Sequence, residues 1–124
     1  MCRTIARHLR PGGRFVTVNN NPGYRGDGES MRVYGFKRDP AGLKDGDPVG
    51  WQFFEDDGSC FNILNYHLSF ETHEKVLEEA GLAGIQWKSP MVSEAGLGEY
   101  SRGYWDSFLE LAPIIGMECT TAKN

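Results

Sequence analysis

The hydrophobic and polar positions over residues 1–19 predict a helix followed by a strand. Ile5 and Leu9 lie four residues apart and share one helical face. Pro11 cannot continue a helix, and either of the two glycines after it can take the positive φ that ends one. The apolar, β-branched run Phe15–Val18 is of the kind that parallel sheets bury on both faces. We therefore expect a helix that ends before Pro11 and a central strand that needs neighbours.

Residues 20–68 alternate strand-like runs with turns. The runs are Met31–Phe36, Val49–Phe54 and Cys60–Leu64. Between the last two lies the sequence Asp-Asp-Gly-Ser, and an Asp-Gly pair between apolar runs is a strong hairpin signal. Residues 38–40 and 44–48, which are rich in Asp, Gly and Pro, predict the looser tip of this region. We expect an antiparallel β excursion here.

Residues 69–124 show a more regular pattern. Ser69 can cap a helix that Gly81 closes, and one face of this helix is apolar or aromatic. Further elements are then predicted in the order strand, short helix, strand: Leu82–Lys88, Tyr104–Leu111 and Ile114–Thr121. The whole chain is expected to form one α/β domain, because 124 residues suffice for a single core.

A family resemblance begins at Leu9–Val16, with the sequence Leu-Arg-Pro-Gly-Gly-Arg-Phe-Val. It resembles the junction before the fifth strand of class I S-adenosylmethionine (SAM) dependent methyltransferases. Three later segments resemble the C-terminal half of a small-molecule subgroup of this family, in the family's order: Asn65–Thr72, Glu79–Leu82 and Pro113–Cys119. The resemblance spans Cys2 to Lys123 and is weakest between Gly23 and Gly50.

The resemblance implies a partial Rossmann-like methyltransferase sheet made of the fifth to seventh strands. The last strand would run antiparallel between the other two, and residues 89–112 would be an insertion. Enzymes of this class hold SAM with a glycine-rich turn after their first strand and an acidic residue after the second. No glycine-rich turn in the sequence follows a predicted strand and opens a helix. We therefore expect SAM to be the cofactor of the complete enzyme and expect no cofactor for this chain alone.

The composition of the chain excludes several classes of binding partner and site. The net charge of -4 argues against a nucleic-acid backbone or an anionic membrane as partner. No apolar stretch approaches the roughly 20 residues that span a bilayer. The three cysteines are odd in number and unclustered, which favours reduced thiols in a cytoplasm. No metal site is predicted, because His67, Glu71 and His73 lack a metal-ligand spacing.

Tyr66 and His67 are the candidate catalytic residues. They lie between a predicted strand and the capped helix, a place that faces the acceptor substrate in the resembled subgroup. A histidine near pH 7 can take a proton from an amine or hydroxyl, and a tyrosine hydroxyl can orient the acceptor. The alternative is an ordinary strand-to-helix connection with no role in chemistry.

Five residues are candidates for substrate binding. Asn20 and Asn21 follow the predicted central strand, at the edge where open α/β sheets place ligands, although asparagines there also form simple turns. Tyr24, Trp51 and Trp105 belong to two segments that would cover the mouth of the site, and the alternative for each is packing. Together these aromatic residues favour a small planar or apolar acceptor.

The function predicted from sequence is the C-terminal portion of a SAM-dependent methyltransferase that acts on a small molecule and is inactive alone. Two alternatives remain open: a non-enzymatic module that binds a small ligand, and one subunit of a split methyltransferase. The strand Phe15–Val18 would have a bare edge in this chain, and such an edge is a template for another chain. We therefore expect a homo-oligomer, or a partner chain that carries the SAM-binding half.

Overall fold

The computed structural model describes residues 1–122 as an α/β protein with two antiparallel sheets. Lys123 and Asn124, the end of the last predicted region, lie outside the described residues. The helices are α1 (Cys2–His8), α2 (Phe70–Glu79), α3 (Glu94–Glu99) and α4 (Asp106–Leu111). The strands are β1 (Arg14–Asn20), β2 (Phe36–Arg38), β3 (Pro48–Phe54), β4 (Cys60–Tyr66), β5 (Leu82–Lys88) and β6 (Ile114–Thr121). Within residues 1–122, no helix is long and apolar enough to cross a membrane.

The first sheet has the strand order β1-β6-β5. The last strand, β6, is antiparallel to both neighbours, as the family resemblance implies. It pairs with β1 from Arg14 opposite Thr120 to Asn20 opposite Ile114. Its pairing with β5 is irregular between Ala83 and Gln86. Among the described residues β1 is an edge strand, so one row of its backbone groups is unpaired in the sheet.

Helix α2 packs on this sheet and closes the main core. The core residues are Leu77, Leu82, Met117 and Cys119. The opposite face of β1 is open, and Val16 is 57% and Val18 63% exposed. The expectation of a strand buried on both faces is therefore wrong for β1, because no helix of residues 1–122 covers that face.

The local signals at the ends of the helices have the expected structural consequences. The hydroxyl of Ser69 accepts a hydrogen bond from the Thr72 amide at 3.1 Å, which caps α2. Gly81 follows α2 with φ +94°, and Gly12 follows α1 with φ +75°. Gly81 takes the left-handed conformation that ends a helix at little cost, whereas α1 already ends at the extended residue Leu9 and Gly12 belongs to the turn after it.

The second sheet has the order β2-β3-β4, and its β3–β4 connection is the hairpin expected at the Asp-Gly turn. Gly58 has φ +89°, and the Asp57 carboxylate accepts a hydrogen bond from the Ser59 amide at 2.9 Å. One face of this sheet is aromatic, and its rings stack at centroid distances of 5.0 to 6.0 Å: Phe36, Trp51, Phe53 and Phe61.

The excursion differs from the prediction at its start. Met31–Phe36 was expected to be strand-like, but residues 32–34 form a turn of 3-10 helix and Gly35 has φ +92°. Met31 is fully buried, and the Tyr34 hydroxyl donates a hydrogen bond to the Tyr104 carbonyl at 2.7 Å. Burial and this distant contact therefore override the weak alternation. Helix α3 was not predicted from sequence, and α4 begins at Asp106 instead of Tyr104.

Candidate functional site

A polar cleft of about 170 Å³ lies where β1 ends and β4 ends. It brings together four of the seven site residues predicted from sequence: Asn20, Asn21, Tyr66 and His67. Arg38, Asn65 and His73 also line it. Residues far apart in sequence thus meet at the carboxyl end of β1, the edge at which open α/β sheets place ligands.

His67 is buried and its backbone is firmly held. Its amide donates to the Asp47 carbonyl and its carbonyl accepts from the Gly46 amide, both at 2.8 Å. The loop that makes these bonds packs closely on the histidine, since a Cβ on Gly42 would stand 2.8 Å from the His67 Cβ. The position of His67 therefore depends on this loop as well as on β4.

Two carboxylates of the same loop lie near His67. Hydrogen bonds from the Thr72 hydroxyl and the Ser69 amide lower the pKa of Asp45, and the charge of His67 adds to this shift. Hydrogen bonds from backbone amides lower the pKa of Asp47, again with a smaller contribution from His67. Both side chains are therefore anionic near neutral pH, and they belong to the loop that holds the His67 backbone.

The other predicted residues of the cleft differ in how free their side chains are. Tyr66 is largely exposed. Asn21, in contrast, is committed to the backbone: its side-chain oxygen accepts from the Gly23 amide and its nitrogen donates to the Ala112 carbonyl, both at 2.8 Å. Asn21 therefore forms the turn that was the alternative to substrate contact. Asn20 lines the cleft without such bonds to described residues.

Arg38 was missed from sequence, where residues 38–40 were interpreted as a loose tip. It is 2% exposed and ends strand β2. Its guanidinium donates to the carbonyls of Asp39 and Pro113. It also lies over the Tyr24 ring at 4.4 Å and near the Trp51 ring at 5.1 Å. Burial lowers the pKa of Arg38 to about 10, so this residue is still cationic at neutral pH.

An apolar groove of about 350 Å³ adjoins the cleft and shares Asn19, Asn20 and Asn65 with it. Its remaining lining comes from both sheets: Val18, Trp51, Phe53, Ile63 and Ile114. The rings of Trp51 and Phe53 are nearly parallel, with an interplanar angle of 9°. Trp51, a predicted substrate contact, therefore lines the apolar groove beside the polar cleft, where its ring stacks with that of Phe53 at 5.8 Å.

Tyr24 and Trp105, the other predicted substrate contacts, do not line the cleft. Tyr24 is fully buried and packs against Arg38. Trp105 stacks on Tyr34 at 5.3 Å, and its indole nitrogen donates to the Gly96 carbonyl at 3.1 Å. In this structure neither residue faces the cleft, because Tyr24 is buried beneath Arg38 and Trp105 packs in the aromatic cluster around Tyr34.

The described residues do not fit SAM in the manner of the resembled family. The amides of Gly12 and Gly13 donate to the Ala122 carbonyl and the Thr121 hydroxyl, both at 3.1 Å. That turn therefore offers no free cradle for a ligand. The first turn of α2 is likewise capped by its own Ser69. In residues 1–122, no group of three or more His, Cys, Asp or Glu side chains is placed to hold a metal ion.

Two solved structures resemble this fold. One is a protein of Listeria monocytogenes described as a SAM-dependent methyltransferase, with a TM-score of 0.59, 14% identity, and coverage of 98% of this chain and 54% of that chain. The other is a SAM-dependent methyltransferase from Mesorhizobium loti, with a TM-score of 0.53, 16% identity, and coverage of 96% and 53%. No protein-family model and no curated protein matches the sequence. This chain thus has a fold similar to that of SAM-dependent methyltransferases and spans about half of their length.

Proposed function

We propose that this chain is the acceptor-binding, C-terminal portion of a SAM-dependent methyltransferase that acts on a small molecule in the cytoplasm. The observation that carries this proposal is the cleft at the end of β1, which gathers Asn20, Tyr66 and His67 in a methyltransferase-like fold. In the complete enzyme, a SAM-binding half supplies the methyl donor. The chain alone is proposed to be inactive.

In this proposal His67 takes a proton from the amine or hydroxyl of the acceptor. The loop that holds the His67 backbone carries the anionic side chains of Asp45 and Asp47. Tyr66 is exposed at the cleft and orients the acceptor through its hydroxyl. Asn20 supplies a further amide contact. Positioning contributes much of the expected rate, because a well-placed nucleophile reacts without searching for its geometry.

Two alternative functions would use the same cleft in different ways. In a split methyltransferase, the SAM-binding half is a separate chain that docks on this one. In a non-enzymatic module, the polar cleft and the apolar groove bind a small ligand without chemistry. The apolar groove beside the cleft is compatible with both alternatives. Methyl transfer measured with the SAM-binding half added distinguishes a split methyltransferase from a non-enzymatic module.

The test measures methyl transfer by the full-length or reconstituted enzyme and by two variants. His67→Ala and Tyr66→Phe are each expected to lower kcat by about 10²-fold, the range of one acid–base or orienting group, with little change in SAM affinity or Tm. The matched controls are His8→Ala and Tyr100→Phe, which lie outside the cleft and should keep full turnover. Unchanged rates in both cleft variants, or a loss explained by lower Tm, would contradict the proposal.

A further inference from the structure

Arg38 is a buried cation without a carboxylate partner. Among residues 1–122, no carboxylate oxygen lies within 4.0 Å of its nitrogens, whereas Arg14 and Lys37 on the same protein are paired with Glu118 and Glu29. The surroundings of Arg38 are two aromatic rings and two backbone carbonyls. A buried charge is costly unless it is paired, so its isolation requires an explanation.

The two carbonyls that accept hydrogen bonds from Arg38 do not depend on a charged donor. The Pro113 carbonyl that it contacts also accepts from the Asn21 amide at 3.2 Å. The Asp39 carbonyl belongs to an exposed residue that water can reach. A guanidinium has five N–H groups, and these two carbonyls take only part of that capacity. Arg38 therefore retains donor capacity in a residue that lines the cleft.

The acidic groups nearest to the cleft are already engaged elsewhere. Asp39 accepts from the Gly50 amide, and Asp47 accepts from two amides of its own loop. Asp45 is bonded to Ser69 and Thr72 at the start of α2. These carboxylates hold loops in place. Asp39 raises the pKa of Arg38 through space, but no carboxylate of residues 1–122 makes an ion pair with Arg38.

The sizes and linings of the cleft and the groove indicate which part of a ligand would bind in each. The cleft, at about 170 Å³, is smaller than the roughly 300–1,000 Å³ of a small-molecule pocket, whereas the apolar groove, at about 350 Å³, falls in that range. The stacked rings of Trp51 and Phe53 belong to the apolar lining of the groove. A planar ring suits the groove, and a compact polar group suits the cleft.

We infer that the site binds an aromatic carboxylate, whose carboxylate pairs with Arg38 in the cleft while its ring lies against Trp51 and Phe53. This assignment rests on the proposed function for its biological meaning, since it makes the methyl acceptor an aromatic acid. The pairing is favourable because an arginine fork matches two carboxylate oxygens. Binding also supplies a direct carboxylate contact, whereas among residues 1–122 Asp39 acts on Arg38 only through space.

The experiment is a binding titration of the 124-residue chain with 2-naphthoate and with 2-naphthamide. The two probes share one ring system and differ in charge. We expect naphthoate to bind at least 10-fold more tightly than naphthamide, and the side-chain Nε–H signal of Arg38 in NMR spectra to move with naphthoate only. Equal affinities, or an Arg38 signal that naphthoate does not move, would overturn the inference.

Two variants separate recognition from packing. Arg38→Met is expected to abolish the preference for naphthoate while the Tm stays equal or rises, because an unpaired buried charge is removed. Arg32→Gln is the matched control: this exposed arginine lies over Phe54 at 4.0 Å, outside the cleft, and its loss should leave the preference intact. A preference that persists in Arg38→Met would overturn the inference. If that variant does not fold, the affinities of the parent chain for naphthoate and naphthamide, together with its Arg38 signal, still test the inference.

The binding assay contains no SAM, so its failure differs from a failure of the proposed function. Naphthoate binding through Arg38, without methyl transfer in the completed enzyme, would overturn the proposed function and retain the anion site. Methyl transfer that shows no preference for carboxylates would overturn the anion site and retain the proposed function.

Discussion

Gly42 lies so close to His67 that a Cβ on the glycine would stand only 2.8 Å from the Cβ of the histidine. The same atom would come within 2.6 Å of the Asp47 Cβ. Real side chains do not approach so closely, so residue 42 has to be small for the loop to pack on His67. The position of His67 in the cleft therefore depends on the close packing of this loop.

Replacing Gly42 by alanine is expected to move His67. The added methyl group forces the loop away, and we expect a loss of about 1–3 kcal/mol in the free energy of unfolding, as for an overpacked site. Urea unfolding measures the stability, and the NMR signals of the His67 ring report its displacement.

Gly28→Ala is the control for that substitution. A Cβ at Gly28 meets nothing within 4 Å, so this variant should stay within about 0.5 kcal/mol of the parent and leave His67 unmoved. Equal stabilities for the two variants, with no change at His67, would show that the loop does not position the histidine.

The pKa of Asp45 links stability to pH. Its carboxylate is held below the ordinary pKa of 3.8 by the Thr72 hydroxyl and the Ser69 amide. A depressed pKa contributes stability above the unfolded-state pKa, and that contribution is lost as the pH falls through the folded-state pKa. We therefore expect the urea midpoint to fall as the pH is lowered from about 5 to below 3.8, and Asp45→Asn to show a smaller fall.

The comparison uses Asp56→Asn as its control, because Asp56 lies in the exposed β3–β4 turn and makes no side-chain hydrogen bond to a described residue. The acid sensitivity of Asp56→Asn should match that of the parent, since this variant keeps Asp45. Asp27, Asp47 and Asp57 also have lowered pKa values, so Asp45→Asn should keep part of the acid sensitivity. An Asp45→Asn curve that parallels the parent would refute the assigned role of Asp45.

The bare edge of β1 predicts self-association of the isolated chain. Two copies can pair antiparallel about Thr17, which sets Val16 of one copy opposite Val18 of the other and brings no like charges together. We expect a homodimer in light scattering at tens of micromolar. Val16→Lys should weaken it at least 10-fold, about 1.4 kcal/mol, whereas Val33→Lys, at an exposed position outside the strand, should not. A monomeric parent chain at these concentrations would contradict this prediction.

The elements predicted well from sequence are those with strong local signals. Helix α2 has a serine cap, an apolar face and a closing glycine, and its structure follows them. Strands β5 and β6 form at the predicted residues, Leu82–Lys88 and Ile114–Thr121. The order of strands in the first sheet came from the family resemblance, because periodicity alone does not say which strands pair.

The elements that were missed depend on distant contacts. Residues 32–34 are helical because Met31 is buried and Tyr34 bonds to Tyr104, which lies 70 residues away. Arg38 looked like a loop residue, since an arginine before Asp-Pro gives no sign of burial. Its aromatic neighbours, Tyr24 and Trp51, are brought to it only by the fold.

The candidate site was predictable in part for the same reason. Asn20 and Tyr66 are the last residues of β1 and β4, and Asn21 and His67 come directly after them. These two strand ends meet at the cleft. Tyr24 and Trp105 were chosen as aromatic residues of covering segments, and aromatic composition does not tell a wall of a site from a packed core. Burial decides between the two, and it is a property of the folded chain.

The central claim is that this chain binds the acceptor and relies on a SAM-binding half located elsewhere. Calorimetric titration of SAM into the purified 124-residue chain tests it most directly, with the same titration of the chain joined to its SAM-binding half as the positive control. The account predicts no binding heat for the chain alone and a micromolar Kd for the joined protein. A micromolar Kd for SAM with the chain alone, accompanied by methyl transfer to any acceptor, would contradict it.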